Sequence, residues 1–364
     1  MTQNIWPDSV TRLLQELGIE YPIIQAPMAG GPTTPELVVA VSNARGLGSL
    51  GAGYLNPEKL DSDIQKIKQI TDNSYNVNLF IPETADPRSP SQNVIDKLGQ
   101  FSKELHSDLP ELLESQQYSF YEQLSVLLDN RVPVFSFTFG IPEQTLMKKL
   151  KDEGVFIIGT ATCVEEGILL EQAGCGAIVA QGSEAGGHRG SFKDDNLMPL
   201  IGGLTLIPQL VDKVAIPVIA SGGIMDGRGI AAAMALGASA VQIGTAFLSV
   251  EEAGVPIPYR ERLLSSQDTS TVLTKSFSGK YARGIRNRFI DEMSELENEV
   301  ASYPIQNSLT RPLRNAAKDR GNPDFMSLWA GQGSAMSRKC SAKELVETLV
   351  DETIEVFKTL SKNF

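Results

Sequence analysis

The feature that most limits how this chain can fold is an alternation running from residue 21 to about residue 250. Short β-rich runs recur there, each followed by glycine or a turn and then by helical periodicity. Strands are expected at 22–25, 46–50, 75–80, 134–139, 155–159, 177–181, 217–220 and 240–243. Helices are expected between them at 35–44, 57–71, 142–151, 164–173 and 228–236, several opening with proline in the first turn, and a longer helical stretch at 91–130 precedes the fourth strand. Such alternation builds a parallel sheet, and eight strand repeats point to an α/β fold closed as a TIM (β/α)8 barrel.

Beyond residue 250 the alternation stops. A polar, proline-dotted region at 303–325 leads to a last helix at 342–361, where Ser341 and Glu344 form a capping-box pattern and Leu345, Leu349, Phe357 and Leu360 recur at near-helical spacing. The expected organisation is a barrel over 1–252, an appended, mainly helical segment over 253–340 that covers the substrate, and a C-terminal helix over 341–364 packed on the barrel's outside.

Composition narrows the partners. The 364 residues suffice for one barrel-sized domain with appendages. With 44 acidic against 32 basic side chains, a net charge of -12 and no concentrated basic patch, neither nucleic acid nor an anionic membrane surface is an expected partner. Cys163, Cys175 and Cys340 form no CxxC pair, so neither a disulfide scaffold nor a metal site is expected, and a reducing, cytoplasmic location is. The N-terminus lacks a basic start followed by an apolar stretch, and the most apolar later region, 229–248, is interrupted by Gly237, Gln242 and Gly244, so no secretion signal or membrane span is expected. Oligomeric state is not legible.

In such barrels the reactive face is the C-terminal end of the strands. The first strand ends in QAPMAGG (25–31), where Pro27 removes an amide donor and Gly30 and Gly31 admit close approach of a flat ligand. The seventh and eighth end in ASGGI (220–224) and QIGTAF (242–247), glycine-bearing loops whose bare amides suit an anion. On the third strand Asn76 alternates with Asn78, so one of them should face the interior and need partners there. Of two histidines, His106 in KELHSDLPELLE sits in a surface-like setting. His188, in QGSEAGGHRG (181–190), is carried toward the mouth on a flexible loop after the sixth strand, and imidazole suits reversible proton transfer near neutral pH.

Taken together, QAPMAGGPTTPELVVAVSNARGLGSLGAG (25–53), NVNLFIP (76–82), PVFSFTFG (133–140), AIVAQGSEAGGHRGSF (177–192), SGGIMDGRG (221–229), QIGTAF (242–247) and FSGKYARGIRNRF (277–289) make the chain strongly resemble the class I nitronate monooxygenases, formerly called 2-nitropropane dioxygenases. The resemblance extends over most of the chain, through YPIQN (303–307) and SLWAGQ (327–332). It implies FMN on a TIM barrel, with His188 as the catalytic base. Cofactor contacts carry over to Asn78, Gln181, Gly186, Gly222, Gly223, Gln242, Ile243, Gly244 and Thr245, with Ala26, Pro27 and Met28 beside the flavin ring. The implied reaction is oxidation of alkyl nitronates, propionate 3-nitronate among them, by O2 to a carbonyl compound and nitrite. Two departures stand out: Thr138 replaces a histidine that some members carry in the fourth-strand motif, and Arg45-Gly46-Leu47-Gly48 replaces the usual GGLG. In the appendage, Lys280, Tyr281, Arg283 and Tyr303 are candidates for covering the mouth and holding an anionic substrate. Two other readings stay open: an NAD(P)H-dependent FMN quinone or enoyl-thioester reductase on the same barrel, and a noncatalytic barrel that stores or senses flavin nucleotide.

Overall fold

Side-chain alternation along a few strands determines what faces the middle of this protein. In the computed structural model, which describes residues 6–82, 88–107, 119–193 and 200–362, the strands are β1 (Ile23–Gln25), β2 (Gly48–Gly51), β3 (Tyr75–Phe80), β4 (Val134–Thr138), β5 (Phe156–Ala161), β6 (Ala177–Gln181), β7 (Gly187–His188), β8 (Val218–Ser221), β9 (Ala240–Ile243), β10 (Thr271–Thr274) and β11 (Ala282–Ile285). All but β7, β10 and β11 pair in parallel in the order β1-β9-β8-β6-β5-β4-β3-β2. A parallel bridge between Ile24 and Leu47 joins the first and last strands, closing the barrel. The expected barrel is therefore present, its strands within a residue or two of their expected bounds.

Along each strand every second residue points inward. At the strand starts these positions are apolar: Ile24, Leu47, Val134, Ile158, Ala177, Val179, Ile219 and Ala240 pack with Val10, Leu13, Leu14 and Leu17 of the helix Asp8–Leu17. Those four recur at i, i+3, i+4 and i+7, and Gly18 ends the helix at φ 67°. Toward the strand ends the inward positions turn polar, through Ser49, Asn76, Asn78, Ser136, Thr138, Thr160, Gln181, Ser221 and Gln242. Period two also puts Asn76 and Asn78 on the same face, correcting the expectation that only one points inward: both donate from Nδ2 to Ser136 Oγ at 2.9 Å.

The larger apolar cluster lies between the strands and the surrounding helices, including Pro35–Asn43, Pro57–Ile70 and Val164–Ala173. The expected stretch at 91–130 comprises Gln92–Glu104 and Phe120–Asp129, with 108–118 outside the described residues. His106 is exposed. The helix Ala342–Ser361 has the full capping box and packs against Gly227–Ala235. Among the described residues no helix is long and apolar enough to cross a membrane.

The segment after the barrel carries more sheet than its sequence suggests. β10 and β11 pair antiparallel, and β11 adds β7, so Ala282 faces His188 and Arg283 faces Gly187. The His188 loop is thus held as a strand, correcting the expectation of a flexible one. The polar region 303–325 likewise contains a helix, Ile305–Asp319, with Pro312 inside it and Leu309, Leu313 and Ala317 buried. Its polar face, rich in arginine and asparagine, masked that periodicity.

Candidate active site

The polar inward positions open into a cavity of about 480 Å³ at the C-terminal ends of the strands, a size typical of small-ligand sites. Every candidate cofactor-binding residue lines it: Ala26, Pro27, Met28, Asn78, Gln181, Gly186, Gly222, Gly223, Gln242, Ile243, Gly244 and Thr245, together with His188. Their convergence follows from topology. β1, β8 and β9 are neighbours in the sheet, so the loops leaving them share one side of the mouth.

Gly222 and Gly223 adopt φ 108° and 71°, a region side chains rarely occupy. Their backbone is therefore bare toward the cavity. A Cβ at Gly51 would stand 2.5 Å from the Ala29 nitrogen, so this glycine is what lets the 26–29 segment fold in against β2. Asn78 lines the cavity and its Oδ1 forms no hydrogen bond among the described residues.

Gln181 acts locally. Its Nε2 donates to the His188 carbonyl at 3.0 Å and its Oε1 accepts from the Gly190 amide at 2.8 Å, clamping the histidine segment from the barrel side. From the other side the Arg189 amide donates to the Tyr281 carbonyl at 2.9 Å. Just beyond, fully buried Glu166 accepts from the Thr162 amide and hydroxyl (2.6 and 2.7 Å), the Ser191 hydroxyl (3.0 Å), and the Phe192 and Lys193 amides (2.7 and 3.2 Å). The Arg189 guanidinium donates to the Gln181 and Thr162 carbonyls.

His188 is half-buried, its ring framed by Phe139, Tyr303 and Trp329 with centroids at 6.1, 6.0 and 5.5 Å. Burial, with the Lys280 and Arg314 charges adding to it, pushes the imidazole from 6.5 down to about 3, so the ring is neutral at physiological pH. Its Nε2 lies 2.8 Å from Ser278 Oγ, and that hydroxyl donates to the Lys280 carbonyl at 3.0 Å. With its hydrogen so engaged, the hydroxyl oxygen accepts from Nε2–H, which leaves Nδ1 as the basic nitrogen.

The four candidate lid residues divide. The Tyr303 hydroxyl donates to Tyr54 Oη at 3.4 Å beside the imidazole. Lys280 sits over the Phe139 ring at 4.8 Å. Arg283 is buried and donates to the Ser183 carbonyl at 3.1 Å, and Tyr281 stacks under Lys275; none of the four is among the residues that line the cavity. Sequence reasoning missed Arg311, Arg314 and Lys318, which enter the cavity wall from the Ile305–Asp319 helix. Their i, i+3, i+7 spacing was the available signal.

A closed parallel barrel with glycine loops, inward amides and a neutral imidazole at one mouth defines an enzyme of the α/β-barrel class, with a small-molecule site at its C-terminal face. The sequence model of the family described as nitronate monooxygenase matches residues 11–352. A protein of Staphylococcus aureus (strain MSSA476) described as a probable nitronate monooxygenase is 46% identical over 349 residues, spanning 95% of this chain and 98% of its own length. The solved nitroalkane oxidase of Streptomyces ansochromogenes is similar at 39% identity and TM-score 0.88, over 96% of this chain and 99% of that one. FabK from Thermotoga maritima is similar at 29% identity and TM-score 0.77, over 97% and 99%. The chain belongs to the nitronate monooxygenase family and is thus an oxidoreductase of a flavin-dependent class.

Proposed function

We propose that the protein binds FMN at the barrel mouth and oxidises alkyl nitronates, propionate 3-nitronate among them, with O2 to a carbonyl compound and nitrite. The observation that carries this reading is a neutral, aromatic-framed imidazole opening onto a cavity that is also lined by bare glycine backbone. The residues fit the cofactor: Gly222, Gly223 and the Gln242–Thr245 turn would take its phosphate end, Ala26, Pro27 and Met28 would lie against the ring system, and Asn78 Oδ1 remains available to a ring donor. When bound, FMN supplies the redox chemistry that couples nitronate oxidation to O2.

The chain's own residues do the rest. Nδ1 of His188 removes the α-proton when a nitroalkane is offered; a nitronate arrives already deprotonated. Ser278 holds the productive tautomer, β7 and Gln181 hold the backbone, and Phe139, Tyr303 and Trp329 keep water from the reacting carbon. A base this weakly basic gains basicity in the complex, because the nitronate it creates is an anion beside the new imidazolium.

The test is an absorbance spectrum of the purified protein followed by titration with propionate 3-nitronate in air, assaying nitrite. A flavin spectrum and stoichiometric nitrite are expected; a yellow protein that releases none is instead a flavin store or sensor. The FabK likeness keeps the reductase reading in play. Anaerobic bleaching of the flavin by NADH or NADPH, with no response to nitronates, would establish that reading.

A further inference from the structure

Three phenylalanines occupy alternate positions at the end of β4, and the third breaks the pattern of the first two. The strand points Val134, Ser136 and Thr138 into the barrel and Phe135 and Phe137 out toward the helices. Continued by one residue, this alternation would send residue 139 outward as well. Phe139 instead lines the cavity and is 5% exposed. Its backbone is left-handed, at φ 74°.

A bulky side chain is a strained occupant of that conformation. Among the described residues Arg45, His106 and Arg131 also have positive φ, but each is exposed and lies one position past a helix cap, where such a turn is ordinary. Phe139 follows a strand and is buried. Its surroundings fix it there. The Ile81 amide donates to the Thr138 carbonyl at 3.0 Å, and a Cβ at Gly140 would stand 2.7 Å from Ile81 Cγ2, so the backbone is pinned on both sides of the ring. The ring packs on Phe80 with centroids 4.9 Å apart, and Phe80 in turn presses on Gly53, where a Cβ would come within 2.4 Å of it. The Phe139 ring therefore cannot retreat from the cavity without displacing the backbone behind Phe80. It meets the His188 imidazole at 90°, with centroids 6.1 Å apart. A base works on a carbon about 3–3.5 Å away, so the groups which that carbon carries have this ring for a wall.

We propose that Phe139 limits the bulk of the group on the reacting carbon: its left-handed backbone turns the ring inward to close the space beside His188, so that nitronates with small, unbranched alkyl groups are accepted and those whose reacting carbon belongs to a ring are rejected. This rests on the nitronate reading above and adds the residue that sorts nitronates by size. The strain at Phe139 is kept because an unstrained β4 end would leave that space open.

The test measures kcat/KM for ethylnitronate and cyclohexylnitronate on wild type, Phe139→Leu and Phe139→Ala holoenzymes. Wild type should favour ethylnitronate strongly. Opening a wall of this size predicts that Phe139→Ala raises the cyclohexyl-to-ethyl ratio about 10- to 100-fold, with Phe139→Leu, the change gentler to folding, in between. Thermal unfolding checks the backbone separately. Glycine alone is at ease at this φ, so Phe139→Gly should melt about 1 to 3 °C above Phe139→Ala, the reverse of their usual order. A ratio that stays at the wild-type value in both Phe139→Leu and Phe139→Ala, or a wild type that turns over both compounds equally well, overturns the proposal. Phe139→Gly melting at or below Phe139→Ala overturns the strained turn on which it depends. If wild type releases nitrite from neither compound, the nitronate reading fails and the size limit with it, whereas nitrite from ethylnitronate with an unmoved ratio removes the size limit alone.

Discussion

Replacing Glu166 by Gln tests how the segment after His188 is held. The carboxylate accepts five hydrogen bonds, two at Oε2 and three at Oε1. The glutamine amide can keep one oxygen in place, but its NH2 must then face donors. If it faces Thr162, two bonds to a charged acceptor are lost, at about 1.5–3 kcal/mol each. The change also removes the carboxylate whose charge favours protonation of buried Arg189. Relaxation of the loop offsets part of this, and a net loss of about 3–5 kcal/mol is expected. For a chain of 364 residues that is a fall in Tm of about 4 to 7 °C. Thermal unfolding followed by circular dichroism measures it. A Tm within about 1 °C of wild type would refute the reasoning.

Two further predictions concern the cavity walls. His188 is neutral when folded down to about pH 3 but takes a proton below 6.5 when unfolded, so stability drains on acidification through that window, at up to about 1.4 kcal/mol per pH unit. Between pH 6.5 and 5 the His188→Asn variant should therefore lose about 1–2 kcal/mol less than wild type in urea titrations, and equal losses would contradict a buried neutral imidazole. Gly222→Ala puts a side chain at φ 108° with its Cβ 3.0 Å from the Ala185 nitrogen, which should cost about 1–3 kcal/mol and leave less flavin bound after desalting. Full flavin retention would move the phosphate seat elsewhere.

What was legible from sequence was whatever local pattern controls. Period-two runs and proline-started helices placed the eight barrel strands and the helix Val164–Ala173 to within a residue or two. The glycine loops and His188 met at one mouth because a closed barrel forces strand ends together. Long-range pairing was not legible. The β7–β11 register that holds His188 joins residues about a hundred positions apart, and two residues of strand leave no periodic trace. Arg283 looked like a cation for the mouth but is turned to the Ser183 carbonyl, whereas Arg314 sat unnoticed in a polar stretch because its helix shows its apolar stripe only once Leu309, Leu313 and Ala317 are seen to be buried.

The most direct measurement compares nitroethane with ethylnitronate as substrates of the His188→Asn holoenzyme. If His188 is the base, kcat/KM for nitroethane falls about 10²- to 10⁴-fold while that for ethylnitronate stays within an order of magnitude of wild type. Equal falls for the two would mean that the imidazole serves binding or folding and that the proton leaves by another route.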